Sequence, residues 1–172
     1  MAGSAAHSTN RDYASLRGRA VDIAQLPSRE ERMEAFVALW WDAFAATGVS
    51  WVGFYVDHPG EPDDRRMTLA ARRPKPACSP IGIHGACGQC LVAGRTLVVR
   101  DVRDLGEGYI ACDPRDQSEL VVPCLDPQGR TWGVLDVDSH DVASFSTGDG
   151  EATRELLALA GLTQPGTGAR CR

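Results

Sequence analysis

Apolar side chains recur along this chain at two different periods, and the switches between them mark its elements. Tyr13, Leu16, Ala20 and Ile23 keep a helical spacing that Pro27 stops. Ser28 with Glu31 after it is a capping box, and Met33, Phe36, Val37, Trp40 and Phe44 then form one stripe that ends at Gly48. Two amphipathic helices therefore precede the first strand. That strand is SWVGFYV, residues 50–56, apolar on both faces and bounded by the turn residues of DHPGEPDD, which places it inside a sheet. Further strands are expected near 66–71, 97–100, 119–125 and 131–138. The first of these returns as a hairpin, and the last two flank the short turn DPQGR. Residues 85–94 read as a short helix, and a final helix spans about 147–161 with Ser146 and Asp149 in capping positions.

Helices at both ends of hairpin-linked strands predict an α/β fold of the α+β type. Its largely antiparallel central sheet would carry helices on one face and a ligand pocket under the long loop 72–118 on the other. A length of 172 residues suits one domain. Polar, Gly/Ser/Thr/Pro-rich ends read as a disordered tail over 1–11 and a flexible tail over 164–172, leaving an ordered domain over 12–163.

Composition narrows the function class. At 43% hydrophobic and 24% charged the chain is an ordinary globular protein, and its net charge of −5 without a basic run argues against a nucleic-acid partner. The N-terminus lacks the apolar core of a signal peptide, and the longest apolar run, AFVALWW at 35–41, is too short to cross a bilayer. No membrane partner and a cytoplasmic location are the expectations. In that compartment the six cysteines are catalytic, metal-binding or buried thiols rather than a disulfide framework.

Strand parity sorts the polar side chains. In WGVLDVDS, Asp136 and Asp138 share one face, an arrangement suited either to the wet side of a sheet or to a cation or ammonium. In SELVVPC, Leu120, Val122 and Cys124 lie opposite Glu119, Val121 and Pro123, so a Glu119 on the ligand side puts Cys124 in the helical core. Parity likewise puts Trp51 and Tyr55 on one face, and Asp136 with Asp138 on another.

Cys78 sits in RRPKPACSP, Cys87 and Cys90 in HGACGQCLVAG, and Cys112 in YIACD. Cys87 falls at the N-terminus of the 85–94 helix, where unpaired N–H groups favour a thiolate. Thiols carried on loops toward one another suggest redox chemistry, in which one attacks and another resolves. Cys90, beside Leu91 and Val92, reads as a packing residue, as does Cys124, while Cys171 reads as a surface thiol of the tail. Zinc is the alternative: Cys87-x-x-Cys90 has ligand spacing, and Cys78, Cys112 or His84 could complete the set, but a second such pair is missing. A thioredoxin-like reading of CGQC needs a preceding strand in a βαβ pattern that the chain lacks.

The segments WVGFY (51–55), KPAC (75–78), GACG (85–88), DV (101–102), IACD (110–113), SELVVP (118–123) and GVLDVDS (133–139), in this order, resemble the free methionine-(R)-sulfoxide reductases. These are small GAF-domain enzymes that reduce the free amino-acid sulfoxide. The resemblance runs from about Tyr13 to Leu162 and implies a single GAF domain over 12–163. It implies that Cys112 attacks, that Cys78 and Cys87 form a disulfide during turnover, that Glu119, Asp136 and Asp138 line the substrate pocket, and that Trp51 and Tyr55 wall it. It also implies a thioredoxin-type reductant as partner, allows a homodimer through the terminal helices, and calls for no cofactor or metal. Three features depart from the family pattern: the Cys78–Cys87 loop is one residue shorter, Cys90 is an extra thiol, and AARRP makes the approach to Lys75 more basic.

A sulfoxide sulfur is electrophilic, but its oxygen departs only when protonated or strongly hydrogen-bonded, which accounts for a thiol among so many acids. Glu119 or Asp138, kept neutral by burial and a neighbouring charge, would donate the proton, and the other carboxylates would hold the α-ammonium. Trp51 and Tyr55 would cage the methyl group and its chain. Attack leaves a Cys112 sulfenic acid that condenses with Cys78 or Cys87. The rival from another class is a GAF sensor module, which binds a small molecule and has no use for Cys112.

Overall fold

A computed structural model describes residues 11–107, 109 and 111–165. The capping box at Ser28 is present: its Oγ accepts the Glu31 N–H and the Glu31 carboxylate accepts the Ser28 N–H, both at 3.1 Å. It starts α2 (Arg29–Phe44), which follows α1 (Arg17–Ile23). Gly48, at φ 91°, takes the left-handed conformation that turns the chain into β1 (Val49–Asp57). Then come β2 (Met67–Arg73), α3 (Ala86–Ala93), β3 (Leu97–Val99), β4 (Ser118–Leu125), β5 (Thr131–Ser139) and α4 (Thr147–Leu159). Ser146 and Asp149 form the second capping box, at the start of α4.

The strands form one antiparallel sheet in the order β2-β1-β5-β4-β3. Interior position explains why β1 is apolar on both faces. On one side Val52, Phe54, Leu120, Val122, Cys124 and Leu135 pack under the stripe of α2, with Leu16, Ala20 and Ile23 from the N-terminal turns and Leu156 and Leu157 from α4. Each large side chain so buried contributes about 1.5–3 kcal/mol. The other side holds a smaller core, Trp51, Tyr55, Val121 and Val134 against Ala86, Cys87, Cys90 and Leu91 of α3. The expectation of helices on a single face thus holds for α1, α2 and α4, while α3 covers part of the ligand face. Gly88 permits that placement, because a Cβ there would sit 2.1 Å from the backbone of Ile83.

Arg11, assigned to the N-terminal tail on composition, is instead a buried anchor. Its guanidinium donates to Thr47 Oγ1 (2.8 Å), the Ser144 carbonyl (3.1 Å) and Asp149 Oδ1 (3.0 Å). At the other end the Gln164 N–H donates to the Leu125 carbonyl at 3.2 Å, so ordered contacts continue one residue past the expected boundary. Cys171 lies outside the described residues. Among those residues no helix is long and apolar enough to cross a membrane.

Candidate active site

Strand register builds the site. Trp51 lies opposite Asp138 and Gly53 opposite Asp136 across β1 and β5, and Glu119 lies opposite Asp138 across β4 and β5. Directly opposed residues point to the same side of a sheet, so Trp51, Tyr55, Glu119, Asp136 and Asp138 share one face, not two as parity within single strands had it. Gly53 has a steric role there, since a Cβ would come within 2.3 Å of the Trp51 indole. Trp51 Nε1 donates to the Lys75 carbonyl at 2.9 Å, and the Tyr55 hydroxyl donates to the Cys78 carbonyl at 2.8 Å. These two bonds hold the 75–78 segment over the sheet.

That segment meets the loop after β3. Cys78 and Cys112, 34 residues apart, are joined by a disulfide with their Cα atoms 5.7 Å apart. Cys112 and Cys78 form part of the wall of a cavity of about 380 Å³ whose lining includes Trp51, Glu119, Asp136 and Asp138. The three acids are nearly buried, at 6, 7 and 9% exposure, and their carboxylate oxygens lie within 4.8 Å of one another. Burial, reinforced by the charge of Asp116 and offset by a hydrogen bond from Tyr109, pushes Glu119 up to about 7. Burial and then mutual repulsion push Asp136 and Asp138 well above the ordinary carboxylate range. Oδ1 of each aspartate is buried without a hydrogen-bond partner, and the pair faces the cavity. Such a floor can accept an ammonium and can also supply a proton.

Cys87 differs from its expectation. Its place in the first turn of α3 favours a thiolate, but burial, and then the charges of Asp136 and Glu119, raise its pKa well above the usual thiol range. Position in the helix is outweighed by desolvation and like charge. The disulfide joins Cys78 to Cys112, leaving Cys87 free and buried. Cys90 is buried and its Sγ donates to the Val121 carbonyl at 3.6 Å, in keeping with a packing role, and Cys124 lies in the helical core. Neither member of the C-x-x-C pair joins a group of three converging metal-type donors among the described residues. Asp113, Asp116 and His140 do converge, but Asp113 is already paired with Arg115 and Lys75 at 2.7 and 3.0 Å. Hydrogen bonds from Arg115 and Lys75 hold Asp113 well below the usual carboxylate range.

Comparison with known proteins places this geometry. Residues 34–163 match the GAF domain family. The free methionine-R-sulfoxide reductase of Saccharomyces cerevisiae is 35% identical over 71% of this chain and 68% of its own length. The chain belongs to the free methionine-R-sulfoxide reductase family. The Escherichia coli enzyme of the same name is 33% identical over 65% of this chain and 64% of its own, so these alignments span about two thirds of each relative. A free methionine-R-sulfoxide reductase from Neisseria meningitidis, solved in complex with its substrate, superposes with a TM-score of 0.72 at 31% identity, covering 88% of this chain and 90% of that one.

Within this family member, the residues expected from sequence, Trp51, Tyr55, Cys78, Cys87, Cys112, Glu119, Asp136 and Asp138, all line the one cavity. Tyr109 and Asp116 line it too and were not anticipated. Both belong to the loop before β4, where no periodicity exists to assign a side chain to a face. Gly53 was legible only as part of WVGFY, because its role depends on a neighbouring ring rather than on its own chemistry.

Proposed function

We propose that the protein reduces free methionine-(R)-sulfoxide to methionine, with Cys112 as the attacking thiol and Cys78 as the thiol that resolves it. The observation that supports this most directly is a Cys78–Cys112 disulfide in the wall of a cavity containing three buried carboxyl groups. In the reduced protein the Cys112 thiolate attacks the electrophilic sulfoxide sulfur while a neutral carboxyl protonates the oxygen, and the hydroxyl then passes to the cysteine sulfur as the transient S–S bond breaks, so methionine leaves and Cys112 becomes a sulfenic acid. The Cys78 thiol displaces that hydroxyl as water and closes the disulfide, which a thioredoxin-type reductant in a reducing cytoplasm reopens. A negative carboxylate in the pocket reads the α-ammonium, the group that separates a free amino acid from a residue within a protein. Trp51 and Tyr55, with ring centroids 6.1 Å apart, take the thioether chain.

The test supplies reduced thioredoxin and the free R epimer and follows thioredoxin oxidation. Turnover is expected with the parent, none with Cys112→Ser, and little with the S epimer or the N-acetylated substrate. Activity of Cys112→Ser within about tenfold of the parent, roughly 1.4 kcal/mol in barrier, would overturn the assignment of the nucleophile, and equal rates on the N-acetylated substrate would overturn the role of the carboxylates.

A further inference from the structure

The three buried acids of the pocket do not have equal surroundings. Glu119 receives the hydroxyl hydrogen of Tyr109 on Oε1, whereas Oδ1 of Asp138 has no donor and Oδ1 of Asp136 has none either. Asp136 is helped by the Cys87 thiol and the Val137 N–H, a help that Asp138 does not share. Three carboxylates within 4.8 Å cannot all hold a negative charge away from water. A hydrogen bond donated to a carboxylate is stronger than one donated to a neutral carboxyl, so charge collects where the donor is. Tyr109 is a durable donor, because burial and then the charge of Glu119 raise its phenol far above its ordinary range. The other phenol of the pocket, Tyr55, is committed to the Cys78 carbonyl.

We propose that Tyr109 is a positioning residue that keeps Glu119 as the ionised member of the three, and so leaves the transferable proton on Asp138. This rests on the reading of the pocket as a sulfoxide reductase site and deepens it. Glu119 then binds the substrate ammonium. Asp138 gives its proton to the sulfoxide oxygen as a Cys112 sulfur lone pair forms a transient S–S bond to the sulfoxide sulfur. The hydroxyl passes with its electron pair to the cysteine sulfur as the transient S–S bond breaks with its pair going to the methionine sulfur, and solvent returns to Asp138 the equivalent of the proton that Cys112 lost on becoming a thiolate. Facing Glu119 are Asp136 and Asp138 from β5, Cys87 from α3, Asp116 from the loop before β4 and Tyr55 from β1. Exposed Asp64 and His84 line the same cavity. Among the described residues none of these donates a hydroxyl or N–H to the Glu119 carboxylate, and Tyr109 does.

The discriminating variant is Tyr109→Phe, which keeps the ring and deletes the donor. Single-turnover reduction by the reduced protein is measured against pH, with carbon-detected NMR titration of the Glu119 carboxyl in the substrate-free protein alongside. The parent is expected to lose rate as pH falls through about 7, the value at which Glu119 takes its proton. In Tyr109→Phe that limb should move up by about one unit, giving roughly a tenfold loss and a raised KM on the acid side and near-parental rates at alkaline pH. The NMR midpoint should move with it. A profile that superposes on the parent's, a loss equal at every pH, or an unmoved NMR midpoint would overturn the role of Tyr109. A parent that never reduces the sulfoxide would overturn the proposed function instead, and the NMR titration would still decide whether Tyr109 sets the charge on Glu119.

Discussion

Cys87 and Cys78 show how little a cysteine's sequence position says about its reactivity. Cys87 is buried beside Asp136 and Glu119, where a thiolate is opposed by desolvation and by like charge. Cys78 is bonded to Cys112 on the wall of the cavity. Cys78→Ser should therefore release one methionine per reduced protein and then stall with thioredoxin, whereas Cys87→Ser should keep multiple turnover within a few-fold of the parent; the reverse pattern would exchange their roles. The pocket acids also leave a mark on stability. Glu119 is raised from 4.5 to about 7 in the folded state by burial. The folded protein therefore keeps a proton that the unfolded chain gives up between these values, so stability falls as pH rises across that window and levels off above it. The loss attributable to Glu119 is on the order of 3 kcal/mol. Urea unfolding at pH 4.5 and pH 8 measures it, and Glu119→Gln should flatten part of the slope.

Among the elements, α3 carries the sharpest geometric constraint. A glycine inside an ordinary exposed helix is improved by alanine by about 0.5–1 kcal/mol. Gly88 should behave oppositely, because the added Cβ would meet the Ile83 backbone at 2.1 Å and that backbone belongs to the strip leading into His84 and Gly85 at the pocket. Gly88→Ala is expected to destabilise by about 1–3 kcal/mol and to raise KM more than it lowers the single-turnover rate. Thermal unfolding with parallel kinetics decides it, and a raised melting temperature would show that α3 does not press on the loop. β1 has a related constraint at Gly53, where the empty Cβ position is filled by the indole of its own strand.

At the scale of the whole molecule, the first described residues are tied to the turn after α2 and to the start of α4. Arg11 joins the start of the described chain to Thr47 in the turn after α2 and to Ser144 and Asp149 at the start of α4. The Tyr13 hydroxyl adds a second donor to Asp149 at 2.7 Å. The Arg11 and Asp149 side chains are 0 and 4% exposed, so removing one partner leaves a buried charge. Arg11→Ala should cost about 3 kcal/mol or more, read as a lower urea midpoint, with the redox site on the opposite face of the sheet still able to turn over at low temperature. A midpoint within experimental error of the parent's would mean that the pair is not an anchor.

Much of this protein was readable without coordinates, and the readable part is local. Both capping boxes, the α2 stripe and the alternation that puts Asp136 beside Asp138 follow from side-chain periods of 3.6 and 2 and from the needs of unpaired N–H groups, which operate within a few residues. The order of the cysteine-bearing motifs was enough to point to a family. Tertiary structure alone decided the remainder. Bringing Asp138 between Trp51 and Glu119 depends on strand register, and joining Cys78 to Cys112 depends on two loops closing over one sheet. The upward shift of the Cys87 thiol where its helix position favours a thiolate, the burial of Arg11 and the bond from Tyr109 to Glu119 are of the same kind. Each is set by which distant groups exclude water from a side chain, and the electrostatic cost of that exclusion has no period along the chain from which to read it.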